Sequence, residues 1–272
     1  MHKDYRKIFK KALLYFLSVF VVYISFGFIS IIPISRINIE AMSDTSLLKL
    51  SENLLYNVKT EVSTEDIEKE LSAIDKKRIV EGLNNDKAIK TFWINMYNAW
   101  FQILAVREKK KNPEIFTSKL IPIAGKKFSL DEIEHGILRR YRWKYSKGYL
   151  PKFFPGKLIK QLAVSKIDYR IHFALNCGAK SCPPIAFYSY DKIDVQLDLA
   201  AKSFLSGETE IDDAKKEVRV TKIMDWFIGD FGGKKGIRKI IKTVLQKNVA
   251  GYSIKFKPYN WDEALHNFEE QE

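Results

Sequence analysis

Residues 86–107 predict a helix that lies in the centre of the fold, because its apolar side chains point in nearly every direction. These side chains are Ile89, Phe92, Trp93, Ile94, Met96, Tyr97, Trp100, Phe101, Ile103 and Leu104. A helix of this kind is buried all round and requires the rest of the chain to pack against it. At 272 residues and 46% hydrophobic content, the chain can supply that core, and its apolar content argues against disorder.

Four neutral polar side chains form one stripe along the same helix. Spacings of four, three and four residues place Thr91, Asn95, Asn98 and Gln102 on a single face. Buried amides require hydrogen-bond partners. We therefore expect the stripe either to bond to neighbouring backbone or to line a polar cleft, in which Asn95, Asn98 and Gln102 are candidate binding residues.

The segment 168–184, with the sequence DYRIHFALNCGAKSCPP, contains both cysteines of the chain. Apolar and polar residues alternate over 169–176, which predicts a half-buried β-strand. A cation, an imidazole and an amide would then share one face of a strand that leads directly into a loop with two thiols. We predict a functional site at this strand end, made of Arg170, His172, Asn176, Cys177 and Cys182.

A further candidate pair, Glu134 and His135, lies on a predicted helix that begins at Ser129. Ser129 and Glu132 have the spacing of a capping box, which marks the start of a helix. Glu134 lies within the apolar arc of that helix and His135 at its edge. Burial of an unpaired carboxylate is costly, so we expect a partner for Glu134, either Arg170 or His172.

The other periodic segments predict short helices mixed with short strands. A hairpin is expected over 121–128 with its turn at Gly125. The remaining predicted helices are 45–59, 64–81, 191–205 and 237–245, and the remaining predicted strands are 217–221 and 253–257. This order lacks the regular alternation of a doubly wound sheet and favours an α+β domain.

Residues 12–34 form a run of 23 uncharged and mostly apolar residues, which is long enough to span a bilayer as one helix. The run exceeds the apolar region of a cleaved signal peptide, about 7–15 residues, and so favours a retained anchor over cleavage. Five Lys or Arg residues lie within residues 1–11. By the positive-inside rule, we expect a cytoplasmic N-terminus and a domain outside the cytoplasm, which in a bacterium is the periplasm or outer face.

These features predict four parts of the chain. They are a cytoplasmic basic segment (1–11), a transmembrane helix or signal anchor (12–34), a linker with an N-terminal helical layer (35–84) and a globular domain (85–266). The formal net charge of +13 favours anionic partners. We expect a membrane partner through the N-terminal helix, a peptide or an anionic envelope ligand, no nucleic acid, and no cofactor.

Several sequence blocks, in the same order, resemble the bacterial and plant family catalogued as domain of unknown function 547, DUF547. The blocks are TFWINMYNAW (91–100), FSLDEIEHGILR (128–139), RIHFALNCGAKSCPPI (170–185), KIMDWFIGDFG (222–232) and YNWDEAL (259–265). The resemblance covers about residues 85–266 and differs from the usual family pattern at Asp225. It implies a site at the Asn, His and Cys positions, and by analogy a papain-like thiol enzyme.

Three alternatives remain for the cysteines and histidines. In a cysteine/histidine-dependent hydrolase or acyltransferase, Cys182 or Cys177 would be the nucleophile and His172 or His135 the base. Glu134 or Asn98 would orient that base. In a binding or scaffold module, a Cys177–Cys182 disulfide would close the loop and His172 would bond to Glu134. In a zinc protein, both cysteines and both histidines would be ligands, although the C-x₂-C spacing typical of zinc sites is absent.

Overall fold

The computed structural model describes residues 42–270, so the predicted basic segment and membrane span lie outside the described residues. Within residues 42–270, no helix is both long enough and apolar enough to cross a membrane. The described chain mixes helices with two small sheets, as an α+β domain does.

Three helices precede the central helix. They are α1 (Thr45–Lys59), α2 (Glu65–Ala73) and α3 (Lys76–Gly82). The prediction of a helix over 45–59 is confirmed, whereas the single helix predicted over 64–81 is wrong. The chain breaks at Ile74 because the Asp75 carboxylate accepts hydrogen bonds from the Lys77 and Arg78 amides, which begins α3 as a separate helix.

The predicted central helix is confirmed as α4 (Asp86–Gln102), which continues into a π-helical turn, Ile103–Arg107. Every residue of α4 from Ala88 onward is buried. Asn85 begins the helix, because its side chain accepts a hydrogen bond from the Ala88 amide. The larger of the two hydrophobic clusters surrounds α4 and includes the buried face of α1.

The hairpin and the helix start that follows it are both confirmed. After a short helix α5 (Glu114–Thr117), β1 (Ile121–Ile123) pairs with β2 (Lys126–Phe128) through a turn in which Ala124 and Gly125 have positive φ. The Glu132 amide donates to Ser129 Oγ at 3.1 Å, and the Ser129 amide donates to Glu132 Oε2 at 3.4 Å. This capping box begins the helix, which is π-helical over Glu132–Leu138.

The β-strand predicted over 169–176 is wrong, because the segment forms a 3-10 helix, Tyr169–Phe173. The Asp168 carboxylate accepts from the Arg170 amide at 3.1 Å and turns the chain there. Residues 171–176 are all buried, so the alternation does not separate an inner face from an outer face. Ile171 belongs to the larger hydrophobic cluster and Phe173 to the smaller one, so this short helix joins both.

The second half of the chain forms the smaller hydrophobic cluster around a three-stranded sheet. Its strands are β3 (Glu210–Asp212), β4 (Glu217–Val220) and β5 (Ser253–Phe256), with β3–β4 antiparallel and β4–β5 parallel. Its helices are α7 (Ile193–Glu208), α8 (Ile223–Trp226) and α9 (Gly233–Val244), and α6 (Lys157–Leu162) precedes them. The helices and strands predicted from the sequence in this region are confirmed, with shifted ends.

Candidate functional site

The amide stripe of α4 binds the backbone of three segments that pass beside it. Asn95 donates to the Tyr188 carbonyl at 2.7 Å and accepts from the Tyr188 amide at 3.1 Å. Asn98 donates to the Ala174 carbonyl and accepts from the Asn176 amide, both at 2.9 Å. Of the two predicted roles for the stripe, the structure shows bonding to backbone.

Gln102 continues this pattern at the end of α4, because its Oε1 accepts from the His266 amide at 3.1 Å. All three amide side chains are buried, with at most 1% of each residue exposed. They form hydrogen bonds with backbone groups that lie outside the helices and strands and so have no partner on a neighbouring strand. Their geometry assigns them to positioning the 174–188 region and the C-terminal segment.

The two cysteines form a disulfide, with an S–S distance of 2.00 Å and a Cα–Cα distance of 6.0 Å. Of the three alternatives, the structure therefore contains the disulfide. In the described part of the chain, no three His, Cys, Asp or Glu residues are arranged to hold a metal ion. Asn176 shapes the loop from inside, because its side chain bonds to the Pro183 carbonyl and the Gly178 amide at 2.7 and 2.8 Å.

The C-terminal segment 259–265, one of the sequence blocks quoted above, lies against the disulfide loop. The Ala264 amide donates to the Gly178 carbonyl at 2.7 Å, and the Lys180 amide donates to the Asp262 carbonyl at 2.8 Å. The Tyr259 hydroxyl lies 3.0 Å from each sulfur and its ring packs against Trp226. The loop thus holds a remote part of the chain.

Arg170 pairs with neighbouring aspartates, so the expected pairing with Glu134 is wrong. Its Nη2 lies 2.6 Å from Asp168 Oδ2 and 3.0 Å from Asp194 Oδ1. Lys90, on α4, lies 2.9 Å from the same Asp168 oxygen. Burial acts to raise the pKa of Asp168, but the hydrogen bonds from Arg170 and Lys90 lower it to about 2. Asp168 is two residues from Arg170 in the sequence, and this network of aspartates occupies the Arg170 guanidinium.

The buried carboxylate of Asp230 connects the two candidate histidines. Its Oδ2 accepts from Arg139 Nε at 2.6 Å and lies 2.9 Å from His172 Nε2. Arg139 Nη1 in turn lies 2.7 Å from His135 Nδ1. The partner of His172 is therefore Asp230, and the expected bond from His172 to Glu134 is wrong. The 3-10 helix turns the imidazole toward Phe227, on which it stacks with a centroid distance of 4.1 Å.

The groups around Asp230 act on its pKa in the direction opposite to burial. Burial acts to raise the pKa of Asp230, but the hydrogen bond from His172 and the charge of Arg139 lower it overall. The side chains of Arg139 and Asp230 are both fully buried. A side chain at Gly148 would collide with the Asp230 carboxylate, so a glycine is required there. The order His135–Arg139–Asp230–His172 forms one continuous hydrogen-bonded chain.

His135 is held neutral in one tautomer. Because the Arg139 guanidinium can only donate, His135 Nδ1 accepts and the proton resides on Nε2, which faces Asp131 Oδ1 at 3.6 Å. Burial and the positive charges of Arg139 and Lys144 hold the pKa of His135 well below its usual value. A neutral imidazole in this state donates a hydrogen bond from Nε2.

Glu134 lies beside His135 with 13% of its side chain exposed, and it has no Lys or Arg ion-pair partner among residues 42–270. The Tyr97 hydroxyl donates to its Oε2 at 3.3 Å, and its Oε1 lies 3.5 Å from His135 Nδ1. Burial raises the pKa of Glu134 to about 7, against the opposing charge of Arg139. A carboxyl group with this pKa exchanges protons near neutral pH.

His135 also lines an open cleft of about 580 Å³ between the helix Glu132–Leu138 and the chain that follows it. Three rings line the cleft: Tyr141, Trp143 and Tyr145. Its cations are Lys119, Lys126, Arg142, Lys144 and Lys152, and its carboxylates are Asp131 and Glu132. Lys119 and Lys126 pair with Glu132, and Lys144 pairs with Asp131. The cleft therefore retains excess positive charge next to exposed aromatic rings.

Two pairs of the residues singled out from the sequence are connected in the structure, but the residues that link the two histidines, Asp230 and Arg139, were not predicted. Asn98 and Asn176 do meet at the disulfide loop, and His135 and His172 do belong to one network. Asp230 was missed because it lies 58 residues from His172 and 91 residues from Arg139, and no local pattern relates positions so far apart. Arg139, four residues after His135 on the same helix, offered a usable signal, since that spacing places the two side chains on one face.

Fold and site together define a disulfide-stabilised α+β domain with a buried ionic network beneath a basic, aromatic cleft. Residues 80–205 match the family model described as "Protein of unknown function, DUF547". The resemblance predicted from the sequence is thereby confirmed over residues 80–205. The match includes the disulfide loop and ends before Asp230 and the C-terminal segment 259–265. No curated protein and no solved structure matches the chain.

Proposed function

We propose that this DUF547 protein is a binding module of the cell envelope whose cleft recognises an anionic glycan. The observation that carries the proposal is the juxtaposition of three rings with a net excess of cations around a single cleft. Lys152 has no ion-pair partner among residues 42–270, and the one ion-pair contact of Arg142 is the 4.0 Å contact of its Nε with Asp230 Oδ1. These cations can bind sugar carboxylates.

The remaining groups of the cleft suit the neutral parts of such a ligand. Aromatic rings offer flat apolar faces for the C–H surface of a sugar ring. The Nε2 proton of His135 and the carboxylates of Asp131 and Glu132 supply donors and acceptors for hydroxyl groups. A few polar groups among rings in one concavity are typical of small-ligand sites.

Thiol catalysis, which the sequence offered as an alternative, has less support in this oxidised state. A nucleophilic cysteine requires a thiolate, and both cysteines of the chain are disulfide-bonded. Neither cysteine begins a helix, a position at which the pKa of a thiol is lowered. The Nδ1 atom of His135 and the Nε2 atom of His172 are engaged by Arg139 and Asp230.

A second candidate function, hydrolysis of the same ligand without a cysteine, is supported by Glu134. Its pKa of about 7 suits a general acid or base near neutral pH. It contacts His135, which lines the cleft. In this alternative, Glu134→Gln abolishes turnover of the glycan and leaves its binding unchanged.

The binding proposal is tested by titrating the full chain, in detergent, with polygalacturonate and with a neutral glucan. We expect saturable binding of the polyuronate alone. Trp143→Ala should weaken that binding about tenfold, the effect of losing about 1.4 kcal/mol at a buried contact. Trp261→Ala is the matched control, because Trp261 is similarly exposed and does not line the cleft. Equal affinity for both polymers, or equal effects of both variants, would refute the proposal.

The location of the domain is also a proposal, supported by the charge asymmetry around residues 12–34. We propose that the domain lies outside the cytoplasm, attached to the membrane by this span. An alkaline phosphatase fused after residue 272 is then active, whereas a green fluorescent protein at the same position is dark. The reverse pattern would place the domain in the cytoplasm.

A further inference from the structure

Residues 139–166 are unusual in charge, because they contain nine Lys or Arg residues and no Asp or Glu. The cations are Arg139, Arg140, Arg142, Lys144, Lys147, Lys152, Lys157, Lys160 and Lys166. Within residues 42–270, Arg140, Lys152, Lys157 and Lys160 are exposed and have no ion-pair partner. This segment, which we name the basic–aromatic segment, therefore presents positive charge that the rest of the described domain does not neutralise.

The same segment exposes large apolar side chains. Phe153 is 81% exposed and Phe154 is 90% exposed. Four further large side chains of the segment are about half exposed or more: Trp143, Tyr145, Tyr149 and Leu150. Single exposed apolar residues are ordinary, but a contiguous group ringed by charge marks an interaction surface.

The backbone beneath these side chains is held in place. The Trp143 amide donates to the Leu150 carbonyl at 3.0 Å, and the Lys152 amide donates to the Tyr141 carbonyl at 2.7 Å. The Gly229 amide donates to the Lys147 carbonyl at 2.8 Å, which ties the far end of the segment to the turn before Asp230. The aromatic side chains are thus presented from an ordered frame, which lowers the entropy cost of binding.

We propose that the basic–aromatic segment docks onto an anionic lipid bilayer, with Phe153 and Phe154 inserted at the interface and the lysines among the headgroups. Aromatic side chains favour the interfacial region of a bilayer, and cations near an anionic leaflet are attracted to it. A nucleic acid would also attract the cations, but it offers no apolar layer for two adjacent phenylalanines. Neither phenylalanine lines the glycan cleft, so the docking proposal stands apart from it, although Trp143, Tyr145 and Lys152 belong to both surfaces.

The test places an environment-sensitive fluorophore at position 154 (Phe154→Cys) in the full chain, and compares it with one at position 199 (Leu199→Cys). Leu199 is exposed on α7, and the native cysteines are protected as a disulfide. The labelled chains are reconstituted into vesicles of phosphatidylcholine alone or mixed with phosphatidylglycerol, and lipid-attached nitroxides act as quenchers. We expect quenching at position 154 in the anionic vesicles and not at position 199.

Charge variants separate electrostatic docking from simple proximity to the bilayer. Lys157→Glu with Lys160→Glu should lower the inserted-to-free ratio at position 154 at least 20-fold, since about 1 kcal/mol, or about fivefold, is expected per lost cation. Lys239→Glu with Lys242→Glu, on exposed positions of α9, changes the net charge equally and should leave the ratio unchanged. Three outcomes would overturn the proposal. They are equal quenching in both kinds of vesicle, equal effects of the two double substitutions, and protection of position 154 by added RNA instead of lipid.

Discussion

The carboxylate of Asp230 joins residues that lie far apart in the sequence. It accepts from Arg139 and contacts His172, so one oxygen connects the π-helix 132–138, the 3-10 helix 169–173 and the turn that follows α8. A buried pair of this kind is weak evidence for net stabilisation, but removal of one partner leaves an uncompensated charge in the core. Its loss is therefore far more costly than the loss of a surface pair.

Replacement of Asp230 should destabilise the domain much more than replacement of a nearby surface aspartate. We expect Asp230→Ala to lower the free energy of unfolding by about 3–5 kcal/mol, because Arg139 is left buried without its carboxylate. Asp225→Ala is the matched control. It removes pairs with the partly exposed Lys147 and Lys222 and should cost about 1 kcal/mol or less. Urea unfolding measures both, and similar losses would contradict the role given to Asp230.

Glu134 should make the stability of the domain depend on pH. Its folded pKa, about 7, lies above the usual value of 4.5, so the folded state binds this proton more tightly than the unfolded state does. Its contribution to stability is present below about pH 4.5 and is lost as the pH rises through 7. Relative to wild type, Glu134→Gln should gain about 2–3 kcal/mol between those limits.

The measurement for Glu134 is urea unfolding of both proteins at mildly acidic and mildly alkaline pH. Glu70→Gln provides the control, because Glu70 is an exposed glutamate on α2. Its difference from wild type should not change with pH by more than a few tenths of a kcal/mol. A pH-independent difference for Glu134→Gln would show that the carboxyl group is not held protonated by burial.

Among the structural elements, the disulfide loop and the amide stripe supply backbone hydrogen bonds that neighbouring strands of a sheet supply in other folds. The chain around residues 174–188 and the segment 259–265 contain no regular strand. Their backbone groups bond to Asn95, Asn98 and Gln102, and to one another. These contacts explain why α4 has polar residues on a face that is fully buried.

Removal of the disulfide should weaken this arrangement. For Cys177→Ser with Cys182→Ser, we expect the free energy of unfolding to fall by about 2 kcal/mol, the loop-closure value for a loop this short. The amide of Ala264, which donates to the Gly178 carbonyl, should exchange its hydrogen faster. Wild-type protein in a reductant is the control and should reproduce the variant. No change in either quantity would show that the 259–265 segment holds the loop without the covalent bond.

At the scale of the whole molecule, the described residues contain two hydrophobic clusters that meet at the 3-10 helix 169–173. The larger one is organised by α4 and the smaller one by the three-stranded sheet with α9. The matched family region, residues 80–205, includes the first cluster from Leu83 to Leu197 but not its part on α1 to α3, and it ends within α7, before the sheet. Asp230 belongs to the second half of the chain and yet completes the network around His135, so the network depends on both halves.

Local sequence patterns were enough to predict the α+β class, the buried central helix, the hairpin at Gly125 and the capping box at Ser129. These features depend on periodicity, turn residues and capping, which act over a few neighbouring positions. Sequence patterns also gave the resemblance to DUF547, whose family model matches residues 80–205, and the disulfide as one of three alternatives. The tertiary structure decided the rest, since the partners of Arg170 and His172 and the 3-10 form of residues 169–173 depend on groups brought close only by folding. Burial beside those groups, which no local pattern records, also sets the protonation of Glu134 and His135.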